Sequence, residues 1–278
     1  MTVRWSDQIT GAELAHPFAD EAWMRAWWDA FGSGALQVGV LEREDGSAAA
    51  LPMASRRLLV EEAHTSPIVE TVGALDAYAA SLGSTLKRRR RKLEREHEVS
   101  LRLDDGADRL DEALARGFEI EASGWKTRAG TAILSAPETR AFYTAIAHAY
   151  RARGELVLGT LCVHGRATAW HLTLRRGARL YMLKSGYLEE AGKLAPGLIA
   201  HLLTIERCFA DPSIEAYELL GAAERWKLEF ATSERRHVRA FGYTRGFSGT
   251  GRWSLRRHGL PLARRLRARV RARRDMKG

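Results

Sequence analysis

The sequence predicts a mixed α/β (α+β) protein, a largely antiparallel sheet flanked by helices. Three stretches carry that reading. Leu156 to Val163 and Ala167 to Leu174 are apolar runs joined through His164-Gly165-Arg166, a hairpin signal. Arg179 to Ser185 alternates and is rich in aromatic and long apolar residues, as in a half-buried strand. Leu198 to Phe209 is an apolar helix, opened by Pro196-Gly197 and stopped by Asp211-Pro212, and a short strand from Glu215 to Leu220 follows. Strand, helix and strand in that order make a β-α-β crossover.

The other elements follow in order. Asp20 caps a helix running through Phe31, with Trp23, Trp27, Trp28 and Phe31 at helical spacing as a core stripe. Leu36 to Arg43 and Ala48 to Arg56 read as strands joined through Glu44-Asp45-Gly46-Ser47. Residues 61 to 77, with His64-Thr65-Ser66-Pro67, read as a loop. Asp76 to Glu96 reads as one helix. Its run Lys87-Arg88-Arg89-Arg90-Arg91-Lys92 is a solvated face, while Leu82, Leu86 and Leu93 pack inward. Val99 to Leu103 is a strand, and Asp104-Asp105-Gly106 turns into a helix from Arg109 to Gly117.

Glu121 to Thr131 supports two readings. One is an exposed loop with a packed tryptophan. The other is a pocket wall, with Trp125 as its face, Lys126 and Arg128 meeting phosphate or carboxylate, and Glu121 as a general base raised by burial. Pro137 to Arg153 is a helix with Phe142, Ile146 and Tyr150 at spacing four. Arg235 to Tyr243 and Phe247 to Leu255 read as closing strands, and His171 as a structural strand histidine.

The chain has 278 residues, enough for one large domain or two small ones. Cys162 and Cys208 stand apart with no framework and read as buried thiols, which suits a reducing cytoplasm. The first residues hold no apolar signal core, no run approaches a membrane span, and no metal-ligand spacing is present. The net charge of +10 sits in the tail: from Arg252 onward there are ten arginines and one lysine against one aspartate. The body is therefore neutral, which weakens a claim of general nucleic-acid binding. The tail, with Leu262, Leu266 and Val270 among its arginines, is read as solvated, with an arm for anionic lipid or nucleic acid as the alternative.

The Pro-Gly turn is a candidate anion site. Pro196 wastes no N–H, Gly197 admits a ligand to the backbone, and the N–H groups of Gly197, Leu198 and Ile199 are expected free beside the positive end of the helix dipole. An ordinary helix start is the alternative.

Several motifs in order give a resemblance. Tyr181-x-Leu183-Lys184-x-x-Tyr187, the Pro196-Gly197 start, Glu218-Leu219-Leu220-Gly221, Trp226-Lys227 and the segment from Glu119 to Ala132 together resemble the GNAT acyltransferase superfamily. The chain is most similar to the bacterial CelD-like (cellulose-biosynthesis) branch, with the aminoacyl-tRNA-dependent Fem-type transferases as structural cousins. The resemblance runs from about Ser66 to about Tyr243 and implies a GNAT-like sheet. It also implies a shortened N-terminal half (1–77), a transferase domain (78–251) and a basic tail (252–278).

The resemblance further implies an N-acyltransferase using acetyl-CoA or another acyl-CoA, with no metal. The donor lies between splayed strands, bound by Lys193, Ala195, Pro196, Gly197 and Leu198. Tyr187 or Tyr181 protonates the leaving thiolate, Glu121 is the base, and Lys227 lies near the transferred acyl group. Trp125, Lys126, Arg128 and Trp226 contact the acceptor, a small-molecule or sugar amine. No nucleic acid is required, and the tail is available for peripheral contact with an anionic membrane. A Fem-type aminoacyl-tRNA-dependent transferase, or a non-catalytic binding protein using the tail, is the alternative.

Overall fold

The computed structural model describes residues 2–6, 17–32, 38–42, 48–52 and 57–243. The expected strand from Phe247 to Leu255 and the basic tail lie outside these residues. The chain divides into two compact units. One comprises Met1–Ala12, Ser33–Ala63 and Val238–Gly278; the other comprises Glu13–Gly32 and His64–His237.

The first unit contains a three-stranded antiparallel sheet, β1 (Thr2–Ser6), β2 (Val38–Glu42) and β3 (Ala48–Pro52), in that order. In the second unit, helix α1 (Glu21–Phe31) begins as expected, with Asp20 accepting from the Ala22 N–H at 2.8 Å. Its aromatic stripe is only half core. Met24 and Ala26 are buried and Trp23 packs edge-on to Phe142, but Trp27 and Phe31 are exposed.

Residues 57–70 form a strand, β4 (Arg57–Glu70), where a loop was expected over its second half. Tertiary pairing overrides the local Ser-Pro signal. Ile68, Val69 and Glu70 pair antiparallel with a later strand, and Ile68 and Val69 are buried. The basic helix is two helices, α2 (Leu75–Ser81) and α3 (Ser84–Glu96), broken at Leu82-Gly83, where both residues are extended. Strand β5 (Val99–Asp104) follows, then helix α4 (Leu110–Ala122).

Helix α4 runs past Gly117, which was expected to end it. A Cβ at Gly117 would lie 2.2 Å from the Trp170 ring, so this glycine admits a close helix–sheet contact and terminates nothing. The extension carries Glu121 onto a buried helix turn. Then come α5 (Trp125–Arg128), α6 (Pro137–Arg151), and strands β6 (Leu156–Val163), β7 (Arg166–Arg176) and β8 (Arg179–Tyr187). Helix α7 (Pro196–Ala210), strand β9 (Ala216–Glu218), helix α8 (Arg225–Leu228) and strand β10 (Ser233–Tyr243) complete the described chain.

The seven-stranded sheet has the order β10-β4-β9-β8-β7-β6-β5; β4–β9, β8–β7, β7–β6 and β6–β5 pair antiparallel and β8–β9 parallel. This is the expected mixed α/β sheet with the crossover through α7. One face carries Leu86 and Leu93 of α3, Ile199, Leu202 and Ile205 of α7, and Tyr217. The other carries Phe118 of α4, and Phe142, Ile146 and Tyr150 of α6 against Trp170, Leu172 and Leu174. Burial of these side chains drives the assembly. Cys208 is buried and Cys162 is partly exposed. Among the described residues no helix is long and apolar enough to cross a membrane.

Candidate active site

Strands β8 and β9 pair at only three positions, Arg179 with Ala216, Leu180 with Tyr217 and Tyr181 with Glu218. Beyond Tyr181 the two strands part. The opening holds a cavity of about 550 Å³ lined by β8 from Met182 to Tyr187, by Glu121 and Ser123–Lys126, by Gly197, Leu198 and His201 of α7, and by Glu224, Trp226 and Lys227. Elements far apart in sequence thus converge on one half-sheet edge.

The start of α7 forms one end. Ala195, its N-cap, has φ +53° in the left-handed region, and Pro196 is the first helical residue. The three free N–H groups expected there are fewer. Those of Leu198 and Ile199 both bond the Ala195 carbonyl, at 3.1 and 3.2 Å, because the αL cap brings that carbonyl over the first turn. The ring of Tyr187 lies across the turn: a Cβ on Gly197 would meet its Cδ1 at 3.1 Å. Gly197 and Leu198 line the cavity, whereas Pro196 is buried and Lys193 is exposed outside the lining.

The opposite wall comes from α4 and α5. Glu121 is fully buried. Its Oε1 receives Lys126 Nζ at 3.0 Å and lies 3.8 Å from Lys184 Nζ; its Oε2 accepts from the Ile133 N–H at 2.9 Å. Lys126 also donates to the Ser185 carbonyl. Burial, first, and then the neighbouring Lys126 charge pull the Lys184 pKa below its ordinary value against the opposing pull of Glu121. Gly186 is what lets α4 reach β8, since a Cβ there would sit 2.4 Å from the Glu121 Cα. Trp125 is largely exposed at the mouth.

The third wall is the α8 turn. Lys227 is buried, donating from Nζ to the Leu220 carbonyl at 2.7 Å and the Ala222 carbonyl at 3.3 Å, with Glu224 at 3.9 Å and the Trp226 ring centroid at 5.5 Å. Leu220 itself is held at φ +48°. Desolvation lowers the Lys227 pKa. Trp226 stacks on His201 with centroids 5.4 Å apart, and His201 Nδ1 lies 3.0 Å from the Tyr217 hydroxyl. Burial, then the His171, Lys126 and Lys227 charges, hold His201 well below the usual imidazole range, so it is neutral near pH 7.

The cavity therefore gathers Glu121, Trp125, Lys126, Tyr187, Gly197, Leu198, Trp226 and Lys227. Five expected residues stand outside the lining: Lys193, Ala195 and Pro196, which precede or open α7, and Tyr181 and Arg128. Tyr181 is buried outside the lining, near Glu218 and Arg235, and burial raises its pKa. Arg128 is exposed and turned to Glu189, making a two-pronged pair at 2.7 and 3.0 Å, because the short helix α5 points it away from Glu121. Lys184 and His201 are lining residues that sequence reasoning did not assign. His201 lies four residues after Gly197, on the same helical face, which is the signal that marks it.

The Acetyltransferase (GNAT) domain family matches residues 80–228, just over half of the chain. No curated protein matches it. Among solved structures, the chain is similar to a conserved protein of unknown function from Bacteroides thetaiotaomicron VPI-5482. The identity is 12% over 85% of this chain and 99% of that one, with a TM-score of 0.50. It is similar to FemX at 11% identity over 63% of this chain and 60% of that one, TM-score 0.49. It is similar to the C-terminal domain of a putative lysylphosphatidylglycerol synthetase from Agrobacterium fabrum at 12% identity over 66% and 61%, TM-score 0.47. The chain thus spans about three fifths of the last two, and likeness at these identities bears on fold alone. The parted strands, the Pro-Gly helix start between them and the family match over residues 80–228 lead to one conclusion: the chain belongs to the GNAT acetyltransferase domain family.

Proposed function

We propose that the protein transfers an acyl group from acyl-CoA, acetyl-CoA first, to an amine. The observation that carries this reading is the parting of β8 and β9 over a cavity that ends at Gly197 and Leu198. The residues present fit such a donor. The Met182–Gly186 edge has no β9 partner and offers backbone groups to an extended amide-bearing arm, and the positive end of α7 suits a pyrophosphate. Lys193, exposed just before that helix, adds a phosphate contact.

The chemistry asks little of the protein beyond placement and charge. The amine nitrogen attacks the thioester carbonyl carbon, the C–N bond forms, the C–S bond breaks, and the amine proton ends on the departing sulfur. Lys227 stabilises the oxyanion. Tyr187 gives its proton to the thiolate and regains one from the nascent ammonium. Trp125 and Trp226 pack on the acceptor. Glu121 serves here as the positioning partner of Lys126 and Lys184, since both of its oxygens are already engaged within the wall.

Calorimetric titration with acetyl-CoA and CoA tests the reading. Binding is expected in the micromolar range, and lost in Gly197→Glu, whose side chain would crowd Tyr187 and place a negative charge at the helix start. Absence of binding by folded protein would sink it. The aminoacyl-tRNA reading keeps one favourable observation: Arg88, Arg89, Arg91 and Lys92 form an exposed basic face on α3. Charged tRNA is therefore the second titrant, and its complex would weaken steeply with salt.

A further inference from the structure

One carboxylate on the α4–α5 wall faces two cations. Glu121 Oε1 is shared between Lys126 at 3.0 Å and Lys184 at 3.8 Å. Glu121 Oε2 is taken by a backbone N–H. The remaining contacts of the lysines are uncharged: Lys126 donates to the Ser185 carbonyl, and Lys184 donates to the Thr131 carbonyl at 3.3 Å and lies 5.3 Å from the Tyr143 ring centroid. Carbonyls and ring faces orient an ammonium without cancelling its charge.

The other carboxylates lining the cavity are engaged. Glu189 is bound by Arg128, and Glu224 accepts from Trp226 Nε1 at 2.6 Å and lies 3.9 Å from Lys227. Among the described residues, then, the second ammonium of this pair has no carboxylate of its own. Both lysine side chains line the cavity and keep 20% and 21% of their surface exposed. Burial, first, and the Lys126 charge hold the Lys184 pKa below its ordinary value, and an anion beside the pair would offset both.

We propose that Lys126 and Lys184, braced by Glu121, form an anion subsite that takes a carboxylate or phosphate on the amine acceptor. Assigning the anion to the acceptor rests on the acyl-CoA reading, in which the donor's phosphates belong at Gly197 and Lys193, on other elements. The acceptor is then an amine that also bears an acidic group, and a neutral amine of the same shape leaves the pair uncompensated. Selection comes from charge placed in a partly buried wall, where it is screened less than at the surface.

Fluorine NMR titration tests this without turnover. The probes are N-trifluoroacetylglycine, its neutral amide and monofluorophosphate, each added to the full chain with and without saturating CoA. One or both anions are expected to bind about tenfold more tightly than the amide. Which anion binds tells carboxylate from phosphate. Lys184→Gln is expected to erase the preference and Lys184→Arg to keep it, while CoA affinity stays within about twofold. Equal binding of acid and amide, or a preference that survives Lys184→Gln in a protein of unchanged Tm, would overturn the subsite. A Lys184→Gln effect on CoA larger than on the small anions would overturn the acceptor assignment and give the lysines to the donor's phosphates. If CoA itself does not bind, the CoA-free arm still decides the subsite, so the two ideas fail separately.

Discussion

Lys227 donates from a buried Nζ to two carbonyls, one of them on Leu220, which is held in the left-handed region. The lysine therefore braces a strained turn as well as charging the cavity. Truncation to alanine removes both roles together. Lys227→Met keeps the stem and removes only the ammonium. It is expected to lower kcat about a hundredfold if the charge meets the oxyanion, and to cost about 1–2 kcal/mol of stability from the freed carbonyls. Steady-state kinetics and urea melts read the two effects, and unchanged kcat with lost stability would leave only the bracing role. Lys227 was legible in the sequence through the Trp-Lys step. Lys184 falls within the Tyr181–Tyr187 pattern, but nothing local marks it, because its partner Glu121 is distant in sequence and adjacent only after α4 packs on β8.

Helix α4 meets the sheet through two glycines with different jobs, one against β7 and one on β8. Gly117 lets α4 lie on Trp170, and Gly186 lets β8 lie on the backbone of Glu121. A methyl at Gly117 meets the buried Trp170 ring; at Gly186 it meets backbone. Gly186→Ala is thus expected to cost about 1–3 kcal/mol by overpacking and to displace Glu121 with the lysines it holds. Thermal melts and the fluorine titration together would show it, and a variant with wild-type Tm would contradict the close contact. The sequence suggested the opposite for Gly117, as a helix stop, because a glycine within a helical pattern carries the same local signal whether it ends a helix or admits a neighbour. Strand β4 was hidden for a related reason: its pairing partner, β9, is remote, and the local Ser-Pro signal reads as a turn. The β6–β7 hairpin and the α7 crossover were legible because their patterns are local and periodic.

At the scale of the whole molecule, two buried histidines link the fold to pH. His171 is fully buried, with its pKa pushed down to about 4 by desolvation, and its ring packs where Gly159 has no side chain. The folded protein resists protonating it, while the unfolded chain accepts a proton near the ordinary value of 6.5. Between those values the unfolded state binds more protons, so stability is complete above about pH 6.5 and is lost as pH falls toward 4. His201 acts in the same direction. The loss from His171 is about 3 kcal/mol. Urea unfolding at pH 7 and pH 4 is expected to show it, and His171→Gln to show a smaller drop. Equal drops in both proteins would assign the acid lability elsewhere.

The short β8–β9 pairing has a consequence for self-association. An unpaired strand edge is a template on which another chain can add a strand and seed aggregation. Here the stretch from Met182 to Gly186 is paired with β7 on one side, and its other side, without a β9 partner, opens inside the sheet into a walled space of about 550 Å³. A small extended molecule fits that space, whereas a strand of a folded partner, with its own sheet behind it, does not. The protein thus keeps open backbone available to a ligand while withholding that stretch from its own copies.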